Sequence, residues 1–450
     1  MTGNNRLRLR SRTAACLAVA ALGLTACSSG SSSSATATGG ATSAAATSAA
    51  AASAAATSTG AGASTAATSA VKAPTGKPLV IGASVSLTGD FSDSGKAVKA
   101  GYDLWATSIN AKGGLLGRKV VMKIVDDTSS PTQVVSNYQN LINKDKVDLV
   151  FGPFSSLLTV PASTVVKRYG YAFLESAGGG PAVFAQKLNN MFFVQPAPVV
   201  KSGDVFADWV LSLPAADRPK TAAYAELDDP FSSPIAESIR VRFEAAGIKT
   251  VYKQVYPAET QDFSAIMAKV AAAKPDVLVS GTQSEDAYGQ VKSLVQLKFS
   301  PKFMFMSNGA NSPLEFPSKV GAKNTTDIMS AGDWFPGSTN PGSAEFTANY
   351  IKANGGTADT IDNSSAEAYA CGQLLEQVAA KTGKLDNATI IATLHQGVWP
   401  TLLGNLSWDA IGQPQGSFNL VQWQGGKLLP VFPAGVAKAT PAYPKPSWGG

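Results

Sequence analysis

The chain has 450 residues, a formal net charge of +6, 44% hydrophobic and 15% charged residues, three cysteines and a single histidine. That apolar content builds globular cores, and the length is enough for two domains beyond a targeting segment. One histidine cannot supply a histidine-rich metal site, no lysine-arginine block marks a nucleic-acid partner, and the absence of a G-x-S-x-G elbow, an H-E-x-x-H pair or a phosphate loop leaves an enzyme reading with little support.

Arg6, Arg8, Arg10 and Arg12 precede a short apolar run from Ala14 to Leu24, and Leu24-Thr25-Ala26-Cys27 ends it with small residues directly before a cysteine. The run is too short to span a bilayer as a helix, so residues 1–26 read as an export signal. Its end resembles the lipobox of exported bacterial lipoproteins. That resemblance implies cleavage after Ala26 and a diacylglyceryl group on Cys27, which would hold the protein on the outer face of the cytoplasmic membrane. Ser28 after the lipidated cysteine fits a single-membrane source. The alternative is an ordinary secretory signal with a chance cysteine.

Residues 27–76 follow as a Ser/Ala/Thr/Gly stretch with no aromatic residue and no charge before Lys72. Such a composition cannot bury a core, so it reads as a flexible tether, and it permits glycosylation without requiring it. Without the four signal arginines the mature charge is about +2. Cys16 leaves with the signal and Cys27 is lipidated, so only Cys371 remains, which excludes an intramolecular disulfide and a cysteine-based zinc site. Cys371 shares a helical face with Leu374, Leu375 and Val378, which predicts a buried thiol.

From Leu79 onward, short β-rich runs alternate with helical periods. Leu79 to Leu87 is a predicted strand, and the next helix, from about Gly95 to Ala111, aligns Val98, Tyr102, Trp105 and Ile109. Lys119 to Asp126 is a strand, Pro131 opens a helix carrying Val134, Tyr138 and Leu141, and Val147 to Gly152 is a strand. Further strands are predicted at Thr221 to Glu226, Ile248 to Tyr256, Asp276 to Gly281 and Phe303 to Ser307. Helices fall between them, at Ser233 to Ala246, Asp262 to Ala273 and Glu285 to Phe299. Two runs of βα units predict an α/β protein of two Rossmann-like lobes with parallel sheets. Ligands of such sheets sit beyond the carboxyl ends of the strands.

Three stretches carry a family resemblance. The first is Ile81-Gly82-Ala83 with Leu87-Thr88-Gly89 and Gly95, then Ile109-Asn110-Ala111-Lys112-Gly113-Gly114-Leu115-Leu116-Gly117-Arg118-Lys119 and Val125-Asp126-Asp127. The second is Val150-Phe151-Gly152-Pro153 with Ser155-Ser156, and the third runs from Leu406-Ser407-Trp408-Asp409 to Gly412-Gln413-Pro414-Gln415-Gly416. Together they resemble type I periplasmic binding proteins, the solute-binding subunits of branched-chain amino-acid-type ABC importers, over residues 78 to 440. The resemblance implies a Venus-flytrap fold with a three-strand hinge. Lobe I would hold residues 77–197 and 333–420; lobe II would hold 198–332, and 421–450 would end lobe II and form the tail. Crossovers would fall near Gln195 to Val200, Gly332 to Phe335 and Asn419 to Gln422. It further implies a monomer without catalysis, metal or cofactor, whose partners are a small molecule in the interlobe cleft, an ABC permease and its ATPase subunits. A sensory receptor of the same fold would carry the same sequence, and a secreted enzyme is a more distant alternative.

By that resemblance Ser156 holds a ligand carboxylate, with Ser155 and Phe154 beside it; plain helix capping is the competing role for the serines. Pro161 allows the helix to start either at Ser156 or at Thr159, the latter leaving both serines on a loop. The loop Glu175-Ser176-Ala177-Gly178-Gly179-Gly180-Pro181 would bring backbone amides to the ligand, with Ala177, Gly178 and Gly179 as contacts. Gly179 stands where amino-acid binders usually carry a hydroxyl, and Asn308 stands in the loop where they place a glutamate for the ligand ammonium. Asp228, Asp229, Glu285 or Asp286 could substitute for that charge. Ser94, Phe231, Thr282 and Gln283 complete the ligand-binding candidates, and Phe91 is a further apolar wall. His395, near Ile391 and Leu394, reads as a core or surface residue.

Overall fold

A computed structural model describes residues 73–449. The export signal, Cys16, Cys27 and nearly all of the tether lie outside the described residues.

Five strands form the first sheet: β1 (Gly76–Val85), β2 (Arg118–Asp126), β3 (Leu149–Phe151), β4 (Phe173–Glu175) and β5 (Met191–Phe193), in the order β2-β1-β3-β4-β5. Every pairing in it is parallel. A parallel sheet needs cover on both faces, which explains why β1, β3, β4 and β5 read as nearly unbroken apolar runs. Helices α1 (Ser92–Ala111), α2 (Pro131–Asn143), α3 (Ser156–Arg168) and the short α4 (Pro181–Phe184) connect its strands. Tyr102 and Trp105 on the predicted stripe of α1 are wholly buried.

After β5 the chain passes to a second sheet. Helix α5 (Val200–Ser212) leads into β6 (Thr221–Leu227), α6 (Ser232–Ala245), β7 (Lys249–Tyr256), α7 (Ser264–Ala273), β8 (Val277–Gly281), α8 (Ser284–Leu297), β9 (Phe303–Met306), α9 (Glu315–Val320) and β10 (Met329–Gly332). The chain then returns beside the first sheet through α10 (Ser343–Asn354), α11 (Asn363–Thr382), α12 (Asn387–Leu394) and a small hairpin of β11 (Trp399–Thr401) and β12 (Gly404–Leu406). It passes over once more to end in β13 (Asn419–Gln424) and β14 (Lys427–Phe432), so the second sheet reads β14-β13-β10-β9-β8-β6-β7.

The last two strands depart from the parallel expectation. β13 runs antiparallel to β10, and β14 antiparallel to β13. Only Gly425 and Gly426 separate Gln424 from its partner Lys427, and both glycines have positive φ, 57° and 77°. Two left-handed residues in a two-residue loop form the hairpin turn that a glycine pair supplies without steric cost.

Helix α11 confirms the predicted apolar face: Cys371, Leu374, Leu375 and Val378 are all fully buried. His395 ends α12, where its Nε2 lies 2.7 Å from the Asn189 carbonyl and its ring sits 4.7 Å from that of Phe192. The second lobe centres on Tyr256, Met267, Tyr288 and Trp423, with the Trp423 indole N–H donating to the Ala310 carbonyl at 2.7 Å.

Candidate ligand-binding cleft

The loops beyond the carboxyl ends of β3, β4, β6, β8 and β9 face one another and enclose a cavity of about 530 Å³, open mouth included. The first lobe contributes Phe154, Ser155, Ala177, Asn363, Ser364 and Glu367; the second contributes Ser202, Phe231, Gln283, Ser307, Asn308 and Asn311. Gln195, Val199, Ala331, Gly332 and Phe418 line it from the segments that pass between the lobes. No lysine, arginine or histidine is among the lining residues, and Glu367 is the one ionisable group there.

Helix α3 starts at Ser156 with Ser155 as its N-cap residue, and Pro161 sits inside it. The later start at Thr159 is therefore not the one adopted. Pro161 merely withholds an amide from the Leu157 carbonyl, while the Leu158 and Thr159 amides already bond the Ser155 carbonyl at 3.1 and 2.9 Å. The two serines then point differently. Ser156 Oγ accepts from the Gly180 amide at 3.0 Å and is spent on holding the neighbouring loop. Ser155 Oγ caps nothing, is buried, and has no hydrogen-bond partner. The partnerless hydroxyl on this wall is thus that of Ser155, one position before the serine singled out in the sequence. Ser202 Oγ, across the cavity, is likewise buried without a partner. A buried orphan hydroxyl costs about 1–3 kcal/mol until something pairs with it, and both belong to cavity-lining residues.

Glu175 shapes the 176–180 loop from beneath. Its Oε1 accepts from the Ala177 amide at 2.8 Å and its Oε2 from Thr159 Oγ1 at 2.9 Å. Burial pushes this carboxyl up to about 8 despite those bonds. A Cβ on Gly178 would meet Thr159 Oγ1 at 2.0 Å, and one on Gly179 would meet the Phe193 ring at 2.2 Å. The hydroxyl missing at Gly179 is therefore a matter of packing: Phe193 occupies the space a serine or threonine would need.

In the second lobe a chain of amides fixes the wall. Asn308 Nδ2 donates to Gln283 Oε1 at 2.9 Å, and Gln283 Nε2 donates to Asp229 Oδ2 at 2.9 Å. Asp229 Oδ1 in turn accepts from the Phe231 and Ser232 amides at the start of α6. Thr282 Oγ1 donates to the Asn308 carbonyl at 2.9 Å. Of the predicted ligand contacts, Phe154, Ser155, Ala177, Phe231, Gln283 and Asn308 line the cavity, whereas Ser156, Gly178, Gly179, Asp229 and Thr282 do not and Ser94 lies in the first turn of α1. Asp229 thus spends both carboxylate oxygens on bonds within the second lobe. Asp228, Glu285 and Asp286 lie in a wider depression between the lobes that shares Gln283 with the cavity, together with Phe91, which meets Phe154 edge-on at 5.9 Å.

Sequence reasoning misses Glu367 and its neighbours on α11. A signal is present in Ala366-Glu367-Ala368-Tyr369-Ala370-Cys371: a carboxylate inside a helix segment otherwise built for burial. Glu367 is 3% exposed, and its Oε1 accepts from Asn363 Nδ2 at 2.7 Å. Asp333, in the segment after β10, is also buried, and its Oδ2 accepts from no N–H or hydroxyl donor. The Glu367 carboxyl beside it supplies that donor once it holds a proton; burial first, and then the charge of Asp333, push Glu367 well above the usual carboxylate range.

The lobes touch across the cleft. Tyr288 Oη donates to Asp93 Oδ2 at 3.4 Å, and Gly180 lies so close to the Pro230 carbonyl that a Cβ would stand 2.3 Å from it. Among the described residues no group of three or more His, Cys, Asp or Glu is arranged to hold a metal ion.

Comparison with known proteins agrees with this geometry. The sequence profile of a family described as periplasmic binding protein matches residues 78–427. A Leu/Ile/Val-binding protein, BraC3, of Rhizobium johnstonii is 25% identical over 354 residues, covering 78% of this chain and 93% of the relative. Two solved structures share the fold. The branched-chain amino acid transporter substrate-binding protein LivJ of Streptococcus pneumoniae, in complex with isoleucine, superposes with a TM-score of 0.69 at 19% identity, covering 78% of this chain and 97% of its own. A solute-binding protein of an ABC transporter from R. palustris, in complex with benzoate, gives 0.69 at 18% identity, covering 82% and 97%.

Proposed function

This chain belongs to the periplasmic binding protein family, with the type I fold that its motifs resemble, and from that membership we propose that it is the extracytoplasmic solute receptor of an ABC importer. Its ligand is a small amphipathic organic molecule, an aliphatic amino acid or a close relative of one, held between the lobes and handed to a membrane permease. The observation that supports this is the cavity lined from both lobes, in which Ser155 and Ser202 hold buried hydroxyls with no partner. Phe154, Phe231 and Phe418 offer apolar surface beside neutral amides, the combination that orients a molecule with one polar and one apolar end. Contacts from both lobes make closure and binding one equilibrium, since a ligand biases the closed state by its differential affinity for it.

A thermal-shift screen over amino acids, organic acids, amides and amines tests the reading, because a bound solute raises the melting temperature by mass action. For the best ligand, Ser155→Ala should weaken binding by about 1–3 kcal/mol, the cost of leaving a buried polar group unpaired. Ser156→Ala should act mainly on stability, through the lost bond to Gly180. Calorimetry that finds Ser155→Ala neutral and Ser156→Ala damaging to affinity would restore the assignment expected from sequence.

The same proposal places the protein on the membrane through an acylated Cys27, supported by the Leu-Thr-Ala-Cys end of the signal. Expressed in a bacterium, Cys27→Ser should leave the membrane fraction and appear in the soluble extracytoplasmic pool. Retention at the wild-type level would refute the anchor.

A further inference from the structure

The charge pattern of the cleft narrows the ligand beyond an amphipathic solute. Glu367 is the single ionisable residue on the cavity wall, and it reaches that wall from α11 of the first lobe. Its Oε1 has one donor in Asn363, and Asp333 stands behind it with Oδ2 unpaired. Both carboxyls are pushed up, chiefly by burial, and the proton that Glu367 shares with Asp333 is what an arriving ammonium would displace. No basic side chain lines the cavity to receive a carboxylate. On the opposite wall Asn308 has committed Nδ2 to Gln283, which leaves its Oδ1 to accept.

An independent feature agrees. The wider depression that shares Gln283 with the cavity carries the exposed Asp90, Asp228, Glu259 and Glu285 against a single Lys292, while Asp229 and Asp286 are buried and committed to hydrogen bonds within its wall. Such a rim concentrates cations near the opening and disfavours anions.

We propose that Glu367 is the cation-binding group of the cleft: the solute carries a primary ammonium that rests on the Glu367 carboxylate and Asn308 Oδ1, its carbon skeleton lies against Phe154, Phe231 and Phe418, and an acid lacking the ammonium is refused. This rests on the solute-binding reading of the same cleft. It moves the ammonium counter-charge from the loop after β9, where Asn308 now stands, to the helix after the second passage between the lobes. An amino acid and a simple amine satisfy it; a benzoate-like anion does not, because its carboxylate would meet two buried carboxyls with no basic side chain beside them.

Three probes that share one isobutyl group separate the possibilities: isopentylamine, L-leucine and 4-methylpentanoate, titrated calorimetrically into the full mature chain. Wild type should bind the amine and leucine and show no heat with 4-methylpentanoate. Glu367→Gln keeps the size of the side chain and an acceptor for Asn363, and should weaken both ammonium ligands by at least 100-fold; Glu367→Asp should recover part of that loss. The wild-type comparison stands even where a variant folds poorly. Binding of 4-methylpentanoate or benzoate in preference to the amine, or unchanged leucine and amine affinity in Glu367→Gln, overturns the inference while solute binding itself survives. A wild-type chain that no amine, amino acid, acid or amide stabilises overturns both.

Discussion

Gly180→Ala should reduce ligand affinity by 100-fold or more while leaving the melting temperature of the ligand-free protein almost unchanged. Gly180 adopts φ −69° and ψ 158°, a conformation any residue accepts, so within its own lobe alanine brings no backbone strain. The most severe contact is across the cleft, where the new methyl would stand 2.3 Å from the Pro230 carbonyl; within its own lobe it meets Ser156 Oγ at 3.0 Å and Ser156 Cβ at 3.1 Å, contacts that a shift of a few tenths of an ångström relieves. A backbone carbonyl at the start of α6 cannot yield without moving the second lobe. The methyl therefore acts chiefly on the closed arrangement. A hundredfold loss corresponds to about 2.7 kcal/mol, which is a modest demand on an overlap of this depth. Calorimetry with the best screened ligand, alongside small-angle scattering, checks it: the variant should stay extended at ligand concentrations that compact the parent. Wild-type affinity in Gly180→Ala would show that the lobes close along another line of contact.

Stability should fall as pH rises from about 4.5 to about 8, and Glu175→Gln should remove much of that slope. The unfolded chain ionises Glu175 near its ordinary 4.5, whereas burial holds the proton in the folded chain up to about 8. Between those values the folded state binds more protons than the unfolded state, so its stability is full below pH 4.5, declines through the interval and levels off above 8. Each pH unit crossed in that interval is worth about 1.4 kcal/mol, which bounds the contribution of Glu175 at roughly 5 kcal/mol. Asp127, pushed up to about 6, and Asp286, pushed up to about 7, both chiefly by burial, act in the same sense. Glu237, held down to about 2 by its bonds to Arg240, acts in the opposite sense, but its stabilisation is lost below pH 4.5 and leaves the interval untouched. The substituted glutamine would still accept from the Ala177 amide and face Thr159. Denaturant titrations at pH 5 and 8.5 should show the parent losing several kcal/mol and the variant much less. Parallel slopes for the two proteins would mean that Glu175 is ionised in the folded state.

Hydrophobic period and turn chemistry determined most of the fold by themselves. The stripe of α1, the largely apolar β1, β3, β4 and β5 and the face of α11 that buries Cys371 follow from local spacing, because burial on one or both faces leaves its mark on consecutive residues. The order of motifs likewise determined the family, and with it the place of the cleft at the carboxyl ends of the strands. What local sequence could not decide is which way a side chain turns once two segments far apart in the chain meet. Ser155 and Ser156 are equivalent on paper, and only the arrival of Gly180 spends one hydroxyl and strands the other. The space at Gly179 is taken by Phe193, and the candidate charge of Asp229 is absorbed by α6 and Gln283. Glu367 stands 59 residues beyond Asn308 and lines the same cavity from the other lobe because the chain passes between the lobes after β10. Elements are fixed by contacts with near neighbours in sequence, whereas the chemistry of an interlobe cavity is fixed by long-range packing, and that was the work of the tertiary structure alone.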